Sequence, residues 1–478
     1  MADNKPEILQ RKVGLFETVA MITGLVIGAG IFGMTATITG MTGPGVFIAF
    51  IVACLPSLFV VLFEIQLTGT LPVTGANYVT VTRVLSPFWG GIISFSAVLA
   101  LLAANILVAV IFADYFIAFV QSFNPAFAMD GRILTIAILV LFALVNYFGV
   151  SLAAWLQIVF FLLFVIGMIV FAITGMANFD PAKLTPLFPK GTIMFIVAVV
   201  LASYVWSGLL ALADIGGEIK NPRRNLPLAL IISFLIILVL YALQPLSLVA
   251  TMDWQEVAKI GNPAIMIDAG RLLPGWGLYI IFIAALGAIV TTINALTWSA
   301  SRDLVAWARD GMFPKAVAHL SKFKTPDVAI LIIIIIEVLG AMIAATIDKY
   351  ALASVLASSL ITIILAWCVF RIPKKMPDLY KKSLFKFNDF WRWFTYVGAL
   401  VTSGIILLSG ILLDMMDENG DPTRFPWVVL IFIGSLLLGT IWYIARRAYL
   451  KGKGVDLDGN MRKVADATLA EAEEKLSA

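Results

Sequence analysis

Residues 18–45 read TVAMITGLVIGAGIFGMTATITGMTGPG, and this stretch decides the fold class. An α-helix of about 20 apolar residues crosses the roughly 30 Å hydrocarbon core of a bilayer, and the stretch is long enough to do so. It also carries four glycines within ten residues, namely Gly24, Gly28, Gly30 and Gly33. Glycines inside such a span either let neighbouring helices approach closely or allow the helix to be interrupted.

The rest of the chain has the same apolar character. Of its 478 residues, 61% are apolar and 13% are charged, and the apolar residues form blocks of spanning length rather than the short runs of soluble strands. This pattern predicts an all-α membrane protein with about twelve transmembrane helices. The predicted spans lie at about 14–40, 43–69, 88–120, 133–149, 153–177, 191–216, 228–250, 274–300, 327–347, 351–370, 394–414 and 426–446. We expect one membrane domain over 14–447, between tails at 1–13 and 448–478.

The distribution of basic residues predicts the orientation. Twelve spans place both termini on one side of the membrane. That side, which holds the two tails and the connections after even-numbered spans, carries 26 of the 33 Lys and Arg residues. Because basic loops stay in the cytoplasm, we expect both tails to be cytoplasmic and the protein to lie in the cytoplasmic membrane.

A second interrupted span is the sixth, MFIVAVVLASYVWSGLLALADIGGEIKNPRRNLP at residues 194–227. Ser203, Ser207 and Gly208 lie at mid-membrane depth in it. An isolated glycine pair is commonly a packing site. The two interrupted spans, however, are five apart, which is the register of a five-plus-five inverted repeat whose discontinuous helices expose backbone groups to a solute.

Four short motifs carry a resemblance to a known family. They are GAGI (Gly28 to Ile31), PVTGANY (Pro72 to Tyr78), EIKNPRRNLP (Glu218 to Pro227) and SRDLVAWARDGMFP (Ser301 to Pro314). In this order and spacing they resemble the amino acid–polyamine–organocation transporters. The resemblance implies a LeuT-type fold with discontinuous helices 1 and 6, one repeat at about 14–177, a second at about 191–370, and helices 11 and 12 at about 394–446 outside the repeats.

The resemblance also implies a site for a zwitterionic amino acid. Free N–H groups at the start of a half-helix favour a carboxylate, and unwound carbonyl groups accept from an ammonium. The predicted N–H donors follow Gly28, and they are Ala29, Gly30 and Ile31. The predicted carbonyl acceptors lie near Val26 and from Tyr204 to Ser207, beside Gly208.

Three side chains complete the predicted site, and each can contact the substrate or have a purely structural role. Tyr204 and Trp206 lie beside the sixth-span break, where aromatic residues of the family often gate the solute, but core packing explains Trp206 equally well. Asn105 matches in position a substrate-contacting asparagine of arginine–agmatine antiporters. A buried asparagine also commonly bonds a neighbouring helix.

Two departures from the family pattern bear on the substrate and the coupling ion. Leu209 and Leu210 follow Gly208 where several relatives carry an acidic residue, which favours neutral substrates. Phe164 stands where many relatives have a lysine whose ammonium fills the place of a sodium ion. The chain therefore lacks that built-in cation.

The missing lysine raises the question of a sodium site. Sodium-coupled LeuT-type transporters bind an ion between first-span carbonyls and an eighth-span hydroxyl pair, and the matching positions are Gly24, Ile27, Ala288, Thr291 and Thr292. The alternative is that both threonines bond carbonyls of their own helix. Sodium coupling, ion-independent exchange and proton coupling all stay open, as do the roles of the intramembrane carboxylates Glu64, Asp114 and Glu337.

These patterns predict a secondary active transporter of amino acids, neutral ones in particular, working by alternating access and with sodium as the candidate coupling ion. The alternatives are an ion-independent amino acid or amine exchanger, a non-transporting sensor on the same fold, and a channel, for which no repeated filter motif is visible. The sequence has no phosphate-binding loop or Cys–His cluster, which argues against an enzyme. We expect a small-molecule substrate, a lipid bilayer and no nucleic acid as partners, no cofactor, and we leave the oligomeric state open.

Overall fold

The structure is a computed structural model that describes residues 13–73, 75–148, 150–210, 216, 219–343, 346–416 and 424–462. Residues 1–12 and 463–478 of the predicted tails, and Glu218 of the third family motif, lie outside the described residues. The described part is helical, and its one β-type contact is an isolated bridge between Val13 and Ile219.

Seventeen α-helices make up the described fold. In chain order, α1 to α17 are Leu15–Thr42, Val46–Val52, Cys54–Thr70, Ala76–Val84, Pro87–Gln121, Gly131–Phe148, Val150–Ala177, Gly191–Ala202, Pro222–Thr251, Trp254–Ile260, Ala264–Leu272, Gly277–Arg309, Asp327–Met342, Ile347–Lys375, Pro377–Lys382, Asp389–Met415 and Trp427–Gly452. A 3₁₀ segment, Ser203–Leu209, continues directly from α8.

Each of the twelve predicted spans contains helix among its described residues, but by length and composition ten runs among the described residues qualify as membrane-crossing. The difference has two sources. The first and second predicted spans form one run, Leu15–Thr70, because only a short 3₁₀ turn separates α1 from α2. The ninth predicted span is α13, which has 16 residues and is shorter than each of the ten qualifying runs. The all-helical membrane class is confirmed, and twelve separate crossings stay a prediction.

The two ends of the described chain lie on one face of the bundle. Val13 pairs with Ile219, just beyond the sixth span. Arg446 of α17 donates a hydrogen bond to the Gly311 carbonyl, just beyond α12, the eighth span. We call this the terminal face, and the face that carries α10 and α11 the opposite face.

The helix α12 lies at the centre of the bundle, where it packs against α1, α5, α6 and α7. Almost its whole length is buried. By contrast, α16 and α17 lie at the periphery and expose large apolar side chains such as Leu408 and Leu438. Such a surface is stable in contact with lipid chains and unfavourable in water.

Candidate functional site

The helix α1 is broken at Gly28, whose backbone dihedral angles are φ 25° and ψ −140°. A residue with a side chain rarely adopts a positive φ of this kind. Space also requires glycine here, because a Cβ atom would lie 1.7 Å from the Thr292 hydroxyl oxygen of α12. The glycine cluster therefore marks a real interruption at the middle of the first span.

The sixth span changes character at the same depth. The helix α8 ends at Ala202, and the chain continues as the 3₁₀ segment Ser203–Leu209. A Cβ atom on Gly208 would lie 3.2 Å from the Leu25 carbonyl oxygen, and one on Gly30 would lie 3.0 Å from the Val205 side chain. The two irregular segments are therefore in direct contact, and glycine on each side permits the close approach.

Tyr241 of α9 joins the two irregular segments, and sequence analysis missed it. Its hydroxyl group lies 2.7 Å from the Val26 carbonyl oxygen and 3.0 Å from the Val205 carbonyl oxygen. The single hydroxyl hydrogen can bond to either of these oxygens. In the sequence, Tyr241 is one aromatic residue in a plain apolar span, and no local pattern distinguishes it.

The predicted substrate-binding residues lie around this contact. Gly30 and Ile31 follow the break in α1 and are buried, and the backbone of Ala29 lies between them and Gly28. In the 3₁₀ segment, the Ser207 hydroxyl donates to the Tyr204 carbonyl oxygen at 2.7 Å. The structure thus brings the predicted donors and acceptors together, and their contact with a substrate stays a prediction.

The two predicted aromatic gates are both buried. The Trp206 ring packs against Phe234 and Tyr241, with centroids 5.4 and 5.0 Å away, and its indole N–H donates to the Phe50 carbonyl oxygen at 3.2 Å. These contacts are those of a core residue. Tyr204 lies on the same 3₁₀ segment and is 6% exposed.

Asn105 forms hydrogen bonds with neighbouring helices, in agreement with the alternative to substrate contact. Its amide nitrogen donates to a carboxyl oxygen of Glu337 on α13 at 2.7 Å and to the Thr297 hydroxyl of α12 at 3.2 Å. All three side chains are buried. Asn105 therefore belongs to a polar cluster that joins α5, α12 and α13.

The predicted sodium ligands also meet. Thr292 Oγ1 lies 3.0 Å from both the Gly24 and the Ala288 carbonyl oxygens. Thr291 Oγ1 lies 2.8 Å from the Ala288 oxygen and 3.4 Å from the Gly24 oxygen. Each threonine hydroxyl therefore lies within reach of one carbonyl of its own helix and one of α1, and can donate its hydrogen to either. Ile27, next to the break in α1, is buried.

A cavity of about 630 Å³, counted with its open mouth, begins at this site and runs towards the terminal face. Ser207 and Gly208 of the 3₁₀ segment line it, and so do Asn77 and Tyr78 of α4 and Trp307 of α12, which lie towards the terminal face. Its wall is formed mostly by small and apolar residues with a few hydroxyl groups, namely Ile93, Ser94, Ala97, Ala100, Leu101, Ala104, Leu210, Leu296, Asp303, Ser354, Ser358 and Ile361.

On the opposite face, polar contacts hold the ends of the helices together. Asn262 donates to Asp114 at 2.6 Å, and the Thr251 hydroxyl donates to Asp268 of α11 at 2.6 Å. Burial raises the pKa of Asp268 to about 6, and the bond from Thr251 opposes this rise. Asp114 thus lies in the part of the third span nearer the opposite face. Phe164, which stands in place of the family lysine, is fully buried.

Together, the apolar bundle, the broken helix at its centre and the cavity beside the break define a multi-pass helical membrane protein. The chain belongs to the amino acid permease family, which matches residues 13–437. This membership confirms the resemblance to amino acid–polyamine–organocation transporters.

Similar proteins include transporters of bacteria. The branched-chain amino acid permease BcaP of Bacillus subtilis is 24% identical over 458 residues, which cover 91% of this chain and 92% of that protein. The methylthioribose transporter of the same organism is 27% identical over 346 residues, 68% of this chain and 73% of that protein. An uncharacterized transporter of Mycobacterium tuberculosis is 28% identical over 344 residues, 71% of this chain and 74% of that protein.

Proposed function

We propose that the protein is a secondary active transporter of neutral amino acids that works by alternating access. The observation that carries the proposal is the contact between the Gly28 break and the 3₁₀ segment of the sixth span, two residues of which line the cavity. In the LeuT-type inverted repeat, broken helices of this kind bind the solute near the midplane. We assign the repeats to 14–177 and 191–370, with α16 and α17 outside them.

The chemistry of the two breaks suits a zwitterion. The N–H groups of Ala29, Gly30 and Ile31 begin the second half of α1, where the helix dipole favours a carboxylate. The carbonyl oxygens of Val26 and Val205 both lie within hydrogen-bond distance of the Tyr241 hydroxyl, which can donate to one of them at a time. Each carbonyl oxygen has two lone pairs, so each can accept from a substrate ammonium as well.

A neutral substrate agrees with the cavity wall. Small residues, aliphatic residues and serine hydroxyls form most of the wall near the break. The one carboxylate among the lining residues, Asp303, lies on the turns of α12 nearer the terminal face. The named relatives, a branched-chain amino acid permease and a methylthioribose transporter, support a solute without net charge.

We propose that both termini are cytoplasmic, so that the terminal face is the cytoplasmic face. Single cysteines placed for labelling by an impermeant reagent test the orientation in intact cells. We expect labelling at positions 183 and 253 and none at 371–392. The natural cysteines, Cys54 and Cys368, are buried and give little background. Labelling of 371–392 from outside would reverse the orientation.

A sodium ion fits the oxygens shared by α1 and α12. Gly24, Ala288, Thr291 and Thr292 supply two carbonyl and two hydroxyl oxygens that already lie within bonding distance of one another, and Ile27 would supply a third carbonyl. Hard cations prefer oxygen ligands. The absence of a Cβ atom at Gly28 leaves the Thr292 oxygen accessible from α1. A bound ion would supply positive charge that holds the break and α12 together.

A ligand screen tests the proposed function. A solute that binds only the folded protein raises its stability, by about 2.7 kcal/mol at 100 times the Kd. We expect neutral amino acids to raise the midpoint of thermal unfolding of the purified protein, and Ser207→Leu, which fills the cavity beside the 3₁₀ segment, to remove the effect. Ser435→Ala on the peripheral α17 is the matched control. No shift with any of the twenty amino acids would leave a non-transporting sensor of another ligand as the better proposal.

A further inference from the structure

The cluster of Glu337, Asn105 and Thr297 has no part in the site described above. Glu337 lies ten residues from the start of α13 and five from its end, and it is 1% exposed. Asn105 lies at the middle of α5, and Thr297 lies well inside α12. An ionisable side chain at this depth is costly to retain in a membrane protein and commonly marks a proton or ion pathway.

The immediate surroundings of Glu337 are uncharged. The polar groups that reach it are the Asn105 amide and, beyond that amide, the Thr297 hydroxyl. Helices α5, α6 and α12 and the 3₁₀ turn Lys315–Ala318 pack against α13, and the Tyr350 hydroxyl of α14 donates to the Gly340 carbonyl of α13. Apart from Glu337, the charged residues of all these elements lie towards the ends of the elements: Asp114, Arg132, Arg302, Asp303, Arg309, Lys315, Asp327, Asp348, Lys349, Arg371, Lys374 and Lys375.

Distance along the helices separates these charges from the cluster. Asp114 is nine residues from Asn105 and bonds to Asn262, while Arg302 is five residues beyond Thr297. At 1.5 Å per residue these separations are about 14 and about 8 Å along the axes. Asp327 is about 15 Å from Glu337 on the same scale and bonds to His319. The nearest partner of the carboxyl group is therefore the neutral amide.

The Asn105 amide can serve either protonation state of a carboxyl group. Its nitrogen now donates one N–H to Glu337 and the other to Thr297, while its oxygen Oδ1 is buried and makes no hydrogen bond with the described residues. If the amide turns over, Oδ1 faces the two oxygens and accepts an O–H from each. The first arrangement suits a carboxylate and the second a carboxylic acid, because an ionised carboxylate only accepts and a protonated one donates.

The cluster lies directly behind the wall of the cavity. Ala104, the neighbour of Asn105 on α5, and Leu296, the neighbour of Thr297 on α12, both line the cavity. A turn of the amide changes what holds these two wall segments together. The protonation of Glu337 is therefore linked to the cavity wall through the hydrogen bonds of Asn105 with Glu337 and Thr297.

We propose that Glu337 is a proton-binding site of the transport cycle, with Asn105 as the partner that adapts to its protonation. The proton binds a carboxyl oxygen of Glu337 and leaves from the same oxygen, with no other bond made or broken. The site is separate from the sodium ligands of α1 and α12 and adds a proton to any sodium carried. Its transport role rests on the proposed function, whereas proton binding itself does not.

Infrared spectroscopy of the purified protein in lipid tests proton binding without a substrate. We expect a carboxylic acid C=O band that disappears as the buffer is changed from acidic to alkaline. One component of the band should be missing in Glu337→Gln and retained in Glu337→Asp and in Glu64→Gln, which removes another buried carboxyl group. Asp268 and other carboxyl groups contribute the rest of the band in all of these proteins. A band unchanged by Glu337→Gln, or one that never titrates while the protein stays folded, would overturn the proposal.

Proteoliposomes test the transport role, with labelled L-leucine as the probe and equal sodium on both sides. If one proton accompanies each leucine, an outside more acidic by one pH unit sustains up to about tenfold accumulation. Glu337→Gln should lose this accumulation and keep leucine counterflow, while Glu337→Asp should keep both. Equal accumulation by wild type and Glu337→Gln would contradict the proposal. Absence of counterflow in the wild type would instead count against leucine transport, and the infrared result would still decide on Glu337.

Discussion

The hydroxyl oxygen of Tyr241 lies 2.7 Å from the carbonyl oxygen of Val26, although 215 residues separate them in the chain. The same hydroxyl lies 3.0 Å from the Val205 carbonyl oxygen. Where a helix is broken, its carbonyl groups lose their partners within the helix. Tyr241 therefore offers its one hydroxyl hydrogen to a backbone acceptor in either broken span and brings α9 into contact with both segments.

Removal of this hydroxyl should weaken both stability and transport. Tyr241→Phe keeps the ring and leaves buried carbonyl oxygens without their donor, which costs about 1–3 kcal/mol. We expect a lower midpoint of thermal unfolding and a decrease in leucine uptake of about tenfold. The matched control is Tyr350→Phe, which removes a 2.9 Å hydroxyl bond to the Gly340 carbonyl between α14 and α13. Equal uptake by both variants would show that the Tyr241 bond is merely structural.

The break in α1 should tolerate no side chain. Gly28→Ala places a residue at positive φ, which costs about 1–2 kcal/mol, and pushes a Cβ atom against the Thr292 hydroxyl. We expect a folded protein in the membrane that has lost amino acid uptake and sodium dependence together. Gly40→Ala in the same helix meets only an ordinary 3.4 Å contact and should behave as wild type. Normal uptake by Gly28→Ala would show that the solute does not bind at the Gly28 break in α1.

The sodium proposal is tested by replacing sodium with choline during uptake. Wild-type uptake should fall in choline, and Thr292→Val, which keeps the shape and removes the oxygen, should raise the half-saturating sodium concentration at least about tenfold. The control is Thr39→Val, because Thr39 makes a hydroxyl bond to the Thr35 carbonyl within α1. Undiminished uptake in choline would exclude this site as the coupling site. Dependence on internal amino acid would then indicate exchange.

Asp268 should make stability depend on pH in a known direction. Burial raises its pKa from 3.8 to about 6 in the folded protein, so between these values the folded state binds more protons than the unfolded state. Stability therefore rises as the pH falls from above 6 to below 3.8, by up to about 3 kcal/mol from this group. Asp268→Asn should be more stable than wild type at alkaline pH and should lack this rise. Asp253→Asn, an exposed neighbour on the same face, should follow the wild-type curve.

The sequence predicted the features that depend on local pattern. The glycine cluster of residues 24–33 predicted the break that the structure places at Gly28, because a positive φ and a close approach both require glycine. Apolar length predicted the helices. The short turn at Gly43–Gly45 that joins the first two spans, and the 16 residues of α13, lie at the limit of what length alone can resolve.

Hydrogen bonds between residues that are distant in the sequence could not be predicted from a local pattern. Asn105 and Glu337 are 232 residues apart, and each is a single polar residue in an apolar helix. Sequence analysis named both and left their roles open, since a buried amide fits a substrate contact and a helix contact equally well. Tyr241 was missed for the same reason, because the acceptors that give it a role appear only when α1, α8 and α9 are packed together.

Uptake of labelled neutral amino acids into proteoliposomes tests the proposed transport most directly. The purified wild-type protein should give saturable uptake of at least one neutral amino acid, stimulated by the same amino acid inside. Gly28→Ala should abolish it, and Gly40→Ala should not. Uptake no greater than in protein-free liposomes for all twenty amino acids, with a folded protein in the membrane, would contradict amino acid transport by this chain.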